Sequence, residues 1–395
     1  MTTELPASPP NRLASLDAYR GTVMLLMMAE VLEFQEVAKA VPGPVWRFLA
    51  DQQTHVAWRG CSLHDLIQPS FSFLVGAALP YSMAARQRRG EPFSRSLLHA
   101  AWRSFALIVL GIWLRSIGRK QTNFTFEDTL TQIGMGYLPL FLLGYASARA
   151  RWAAFVAILL GYWAAFAAYP LPGPTFDWSA VGVPPDWPHH ESGFSAHWDK
   201  NSNLAWAFDT WFLNLFPRES PFLANRGGYA TLSFIPTLAT MLLGAIAGDW
   251  LRSDRTPGRK LAMMVGAGGA GLLLGLVVQG LGLCPIVKRI WTPSWTMFSG
   301  GFCLAILAGF YAALDLGGPQ GWSYPLRVIG RNSIAAYLIA HLIDGFIRSD
   351  VRTHFGPGVF TRWGPYEPLA GGVVVLAAYW LILLWMDRRR IYLKI

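Results

Sequence analysis

Charge is scarce in this chain: only 14% of its 395 residues are Asp, Glu, Lys or Arg, against about 25% in a soluble domain. That shortage excludes soluble enzymes, DNA-binding modules and disordered proteins. Cysteine is scarcer still. Cys61, Cys284 and Cys303 are far apart and share no metal-ligand spacing, so neither a disulfide framework nor a zinc site is implied. There is no internal repeat of about 20 to 50 residues and no low-complexity tract. The first apolar run follows a polar segment, Met1 to Arg12, and has no small-residue cleavage site leading into a soluble domain, so it reads as a retained span. What the chain does have is apolar surface: 53% hydrophobic residues, 18 tryptophans and a mean hydropathy of +0.32. This is the composition of a polytopic helical membrane protein. The net charge of +10 then belongs to cytoplasmic loops rather than to a nucleic-acid surface, because no basic arm or aromatic-basic stripe accompanies it.

A bilayer crossing takes about 20 mainly apolar residues. About ten such windows are separated by charged or Pro/Gly-rich breaks: 19–36, 62–84, 96–115, 129–147, 152–169, 229–250, 261–283, 295–314, 326–347 and 368–386. Basic residues concentrate after the second window (Arg86, Arg88, Arg89, Arg95), the fourth (Arg149, Arg151) and the sixth (Arg252, Arg255, Arg259, Lys260), and in the tail (Arg388, Arg389, Arg390, Lys394). By the positive-inside rule these share the cytoplasmic side, with both termini. The expected layout is a cytoplasmic segment 1–18, a transmembrane domain 19–386 in one all-α bundle, and a basic cytoplasmic tail 387–395. The long connections 37–61 and 170–228 then lie outside. The second contains Trp178, Trp187, Trp198, Trp206 and Trp211, which suit either a sugar-stacking cap or interface anchors. Its His189, His190 and His197 match no helix-borne metalloprotease spacing, and no metal is expected.

Ionisable groups inside spans are functional candidates by default, with a buried structural pair as the competing reading. Glu30, Asp65, Arg331 and His341 are of this kind. The most informative stretch is Thr54 to Gly76, which sets His55 beside Trp58 just outside a span that opens with Asp65 and is interrupted at Gln68-Pro69. Proline in a span is tolerated where a cavity or polar groups satisfy the freed carbonyl. Histidine is the commonest acid-base residue near neutral pH, although a lone interfacial histidine also serves as a structural group.

The motifs RLASLDAYRG (Arg12 to Gly21), HVAWRG with DLIQPSFSFLVG, LTQIG (Leu130 to Gly134), GRNSIAAY (Gly330 to Tyr337) and the terminal IYLKI together resemble the heparan-alpha-glucosaminide N-acetyltransferase family over the whole membrane domain. The resemblance implies transfer of acetyl from cytosolic acetyl-CoA, as co-substrate, to an amino sugar or glycan on the external face, with His55 as the catalytic histidine. It also implies a form without the family's luminal N-terminal domain, in the inner or plasma membrane of a bacterium. The chain departs from the family where Glu30-Val31 stands in place of an asparagine, and where Ser70 rather than Trp follows Pro69.

On this reading the CoA phosphates are expected to meet Arg20, Arg86, Arg89, Arg331, Arg388, Arg389, Arg390 and Lys394, since charge-assisted bonds to phosphate favour arginine. The positive-inside bias accounts for many of the same residues. Gln68, Gln132 and Asn332 are expected to line a funnel between the two sides, and Trp58 to contact substrate or the oxyanion. Asp65 or Glu30 would orient the imidazole. His55 acts either as general base or as an acyl carrier. Two other functions share these features: an O-acetyltransferase of an envelope polysaccharide, and a secondary transporter. The bilayer, the donor and the glycan are the expected partners, with homo-oligomerisation left open.

Overall fold

The computed structural model describes residues 13–393; residues 1–12, Lys394 and Ile395 lie outside the described residues. The helices, in chain order, are α1 (Ala14–Met28), α2 (Phe34–Ala40), α3 (Pro44–Gln53), α4 (Ile67–Arg88), α5 (Phe93–Ser116), α6 (Thr129–Gly144), α7 (Ala148–Ala168), α8 (Leu204–Phe212), α9 (Phe234–Arg252), α10 (Pro257–Gly280), α11 (Pro293–Leu314), α12 (Tyr324–Arg331), α13 (Ser333–Leu342), α14 (Asp344–Phe355) and α15 (Glu367–Arg388). Among the described residues the only β pairing is an isolated bridge between Arg59 and Val287. Six helices are long and apolar enough to cross a membrane: α5, α7, α9, α10, α11 and α15, with α9 and α15 extended by their leading 3₁₀ turns. They mark an integral membrane protein.

Each of the ten apolar windows contains a helix, but four are shorter or more polar than those six. The ninth window is broken into α12 and α13 at Asn332, whose ψ of 43° leaves the helical range. The second begins its helix at Ile67, after a 3₁₀ turn over His64–Leu66, so Asp65 lies ahead of the helix. Pro80 and Pro139 sit inside α4 and α6.

α9 forms the centre of the bundle, with most of its side chains buried, whereas α5, α7 and α10 turn Leu, Val, Phe and Trp side chains outward around the rim. That inversion, apolar both inside and out, is what a lipid solvent permits. Close backbone approach replaces a hydrophobic driving force. α4 crosses α9 where Gly76 meets the Met241 carbonyl and Gly244 meets the Phe73 carbonyl, both nearer than any side chain allows. The arginine-rich connections collect at one end of the bundle. There Arg252 lies over Tyr81, Arg151 pairs with Asp249 at 2.6 Å, and Arg331 pairs with Asp387 at 3.2 Å. The 54–63 segment, the 170–228 connection and the 281–292 loop meet at the other end.

Candidate functional site

α3 ends at Thr54, whose hydroxyl donates back to the Ala50 carbonyl at 2.8 Å. The chain then runs without regular structure across the mouth of the bundle. It turns at Gly60, where a φ of +120° requires glycine, and the Gly60 amide donates to the Ile286 carbonyl at 3.1 Å. Arg289 ties this loop to its neighbours: its guanidinium donates to the Val56 carbonyl at 2.9 Å and to the Gly227 carbonyl at 2.7 Å. Three loops distant in sequence are held together in this way.

Within that frame Asp65 is almost fully buried and accepts four bonds. Oδ1 takes His55 Nδ1 at 2.7 Å, and Oδ2 takes the Val56 amide (3.3 Å), the Ser62 amide (3.1 Å) and the Ser62 hydroxyl (3.0 Å). The ammonium of Lys288, 4% exposed, lies 3.3 Å from Asp65 Oδ1 and 3.1 Å from His55 Nδ1. Burial pushes the Asp65 carboxyl upward, but the His55 hydrogen bond and the Lys288 charge outweigh it and hold it below the usual carboxylate range. Burial pulls Lys288 down to about 8 against the pull of Asp65. For His55, burial lowers, the Asp65 bond raises and the Lys288 charge lowers, leaving the imidazole below its ordinary 6.5. With Nδ1 engaged by Asp65, Nε2 carries the free lone pair. Beside it, the His64 ring lies 4.6 Å away between centroids, and its own Nε2 is 2.9 Å from Glu30 Oε1.

His55, His64, Glu30, Lys288 and Gln68 line a cavity of ≈ 530 Å³, with Tyr337, His341 and Phe71 deeper in the bundle. A second cavity of ≈ 440 Å³ shares Phe71 with the first and is lined by Arg20, Arg103, Tyr137, Arg331 and Tyr392. A third, of ≈ 500 Å³, shares Arg20 and Ala78 with the second and adds Arg88 and Arg252 at the arginine-rich end. The cavities thus follow one another along the bundle, the first and second sharing Phe71 and the second and third sharing Arg20 and Ala78.

The structure distributes the expected residues unevenly. His55, Asp65, Glu30 and Gln68 come together at the first cavity, although Glu30 bonds His64 and not His55. Arg20 and Arg331 line the second, the former 3.4 Å from Asp17. Trp58 is fully buried against Trp187, its ring centroid 5.9 Å away, in an aromatic cluster outside the His55 cavity. Gln132 is fully buried and donates to the carbonyls of Phe126 (2.6 Å) and Thr231 (3.1 Å). Asn332 clasps the C-terminal segment, donating to the Ile391 carbonyl at 3.0 Å and accepting the Leu393 amide at 3.1 Å. Arg86 and Arg89 pair with Glu91 at 2.6 and 3.5 Å, away from the three cavities. Arg388, Arg389 and Arg390 are exposed at the end of α15; Lys394 lies outside the described residues. His190 lies 3.6 Å from the Asp199 carboxylate, and His197 hydrogen-bonds the Tyr169 carbonyl at 2.9 Å. Among the described residues no three His, Cys, Asp or Glu side chains gather in a metal-binding group.

Three site residues were not singled out from the sequence. Lys288 and His64 are absent because a loop lysine reads as interfacial charge and His64 is overshadowed by His55. Arg103 lies midway along α5, between Arg95 and Arg115 near its ends, and that position inside an apolar span was the available signal. Its guanidinium lies 4.5 Å over the Tyr137 ring and bonds the Tyr137 hydroxyl at 3.2 Å, while its Nε has no partner.

No family model matches the chain. Among curated proteins it is similar to human heparan-alpha-glucosaminide N-acetyltransferase, at 24% identity over 100% of this chain, and to the mouse protein of the same name, at 23% over 99%. The chain spans 61% of the length of the human protein and 62% of the mouse one. Across its full length, the chain is a distant relative of the heparan-alpha-glucosaminide N-acetyltransferases.

Proposed function

We propose that this protein transfers acetyl across a membrane, from acetyl-CoA held at the arginine-rich, cytosolic end to an amino sugar or glycan at the His55 end. In this topology all ten windows cross, both termini face the cytosol, and the 54–63 and 170–228 segments face outward. The observation that carries the reading is the pair of cavities abutting at Phe71. A pantetheine arm is shorter than the hydrocarbon layer of about 30 Å, so its thioester meets an acceptor from the far side only inside a deep funnel. The cavities supply that funnel, with guanidiniums for phosphate at one end and a neutral imidazole at the other.

The chemistry follows from the His55 setting. The acceptor amine attacks the thioester carbon, forming the C–N bond; His55 Nε2 takes the amine proton, and the C–S bond breaks to release CoA thiolate, which the imidazolium then protonates. In the two-step variant Nε2 attacks first, thiolate leaves, and the amine displaces acetyl from the acyl-imidazole. Asp65 fixes the tautomer in both. The names of the relatives favour a glucosaminide nitrogen as acceptor.

The test uses purified protein in vesicles with radiolabelled acetyl-CoA outside and glucosamine-terminated oligosaccharide inside. Labelled, alkali-stable product supports amide formation, whereas alkali-labile product points to O-acetylation. Absence of labelled product over a panel of amino-sugar and hydroxyl acceptors sinks the reading.

A further inference from the structure

We infer that Lys288 is a positioning residue of this transfer: its ammonium, set against both His55 Nδ1 and the Asp65 carboxylate, keeps the imidazole neutral in the tautomer whose Nε2 can accept a proton or attack. The inference rests on the His55 reading above and adds a residue 233 positions away in the chain.

The geometry selects one proton arrangement. A carboxylate oxygen and a bare ring nitrogen do not sit 2.7 Å apart, so the contact between Asp65 Oδ1 and His55 Nδ1 holds a proton on Nδ1. Lys288, 3.3 Å from the same oxygen, then donates to Asp65 rather than to the ring. Asp65 alone would invite a second proton onto His55, because an imidazolium beside a buried carboxylate is a stable ion pair, and a histidine locked in that form is a spent base. The lysine ammonium, 3.1 Å from Nδ1, opposes that protonation and shares the carboxylate. Asp65 thus orients the ring and Lys288 cancels the electrostatic side effect.

Other charged or titratable groups face His55 less directly. His64 is tilted against it but holds Glu30, Tyr229 is 6.5 Å away between ring centroids, and Arg289 spends its guanidinium on the Val56 and Gly227 carbonyls. Only Asp65 and Lys288 touch Nδ1 among the described residues.

The experiment compares full-length wild type with Lys288→Met, Lys288→Arg, Asp65→Asn and the double variant Lys288→Met/Asp65→Asn. Two readouts are taken across pH: acetyl transfer, and carbethoxylation of His55 by diethyl pyrocarbonate followed by peptide mass spectrometry, which reports neutral imidazole without needing acetyl chemistry. In Lys288→Met the carbethoxylation midpoint should rise by about one to two pH units, and transfer should fall far more at pH 6 than at pH 8. Lys288→Arg should stay near wild type. The double variant leaves no unpaired carboxylate, so it remains informative if the single variant does not fold: burial lowers the ring with or without the ammonium, so its midpoint should lie above that of Asp65→Asn, which keeps the lysine. A midpoint in Lys288→Met equal to that of wild type, or in the double variant no higher than in Asp65→Asn, with transfer reduced equally at every pH, overturns the inference. A shifted midpoint in a protein whose wild type transfers no acetyl overturns the functional reading and retains the electrostatic role of Lys288.

Discussion

At the scale of single residues, the site is assembled around one edge of one ring. His55 is half exposed at the mouth of the bundle, so His55→Ala leaves no core cavity; transfer should drop by about 10²-fold to 10⁴-fold with expression and CoA binding retained. Activity within a few-fold of wild type would end its assignment as base or carrier. Since the imidazole sits below its ordinary 6.5, wild-type activity should persist through mildly acidic pH and decline only as pH falls through the lowered value, where Nε2 becomes protonated. Asp65→Asn behaves differently. It strips the counter-ion from a buried ammonium, a change worth about 3–5 kcal/mol, so thermal stability should fall together with activity. Retained thermal stability in that variant would show that Lys288 finds another partner. His55, Asp65 and Gln68 were legible in the sequence because they lie within one short segment. Lys288 was not, because the loop that brings it to His55 is fixed by Arg289 and by backbone pairing that no local pattern encodes. Trp58, Gln132 and Asn332 were legible as polar or amphipathic exceptions, but the structure gives them packing, carbonyl-bonding and tail-clasping contacts.

At the scale of elements, apolar run length located a helix in every window, with most ends within about five residues; the first window closes at 36, whereas α1 already ends at Met28. The break at Asn332 was not legible: Gly330-Arg331-Asn332 reads as an ordinary polar interruption, and only its contacts with Ile391 and Leu393 explain why the helix gives way there. Nor did hydropathy distinguish α9, buried on every side, from α10, which faces outward, because both sides of a membrane bundle are apolar. Glycine contacts do distinguish them. Gly244→Val should collide with the α4 backbone at Phe73 and cost at least about 1–3 kcal/mol, seen as a lower melting temperature in detergent. Gly161→Val on α7, with open space around its Cβ position, should melt close to wild type. Equal effects at the two positions would refute the close α4–α9 crossing.

At the scale of the whole molecule, arginine placement anticipated the segregation of basic connections to one end, which is a matter of composition and loop order. The path between the ends was only partly legible. Its arginine-rich entrance drew on Arg20 and Arg331, but Arg103 lies inside an apolar helix, and Arg86 and Arg89 turn to Glu91. Arg103→Met should therefore weaken CoA binding by about tenfold or more through a lost charge-assisted contact, measured by isothermal titration, with the bundle still folded. Unchanged CoA affinity would reduce Arg103 to the Tyr137 contact it already makes.

Phe71, which lines both cavities, carries an electrical consequence. Two polar cavities entering a bilayer from opposite faces form a conducting pore unless something dry divides them, and one phenyl ring lines both sides of that division. On the proposed transfer, the bundle must pass a two-carbon group while denying passage to protons, or it would discharge the membrane it sits in. Phe71→Gly vesicles loaded with a pH-sensitive dye should equilibrate faster than wild type after an acid jump; an unchanged rate would assign the insulating layer to other side chains at that depth.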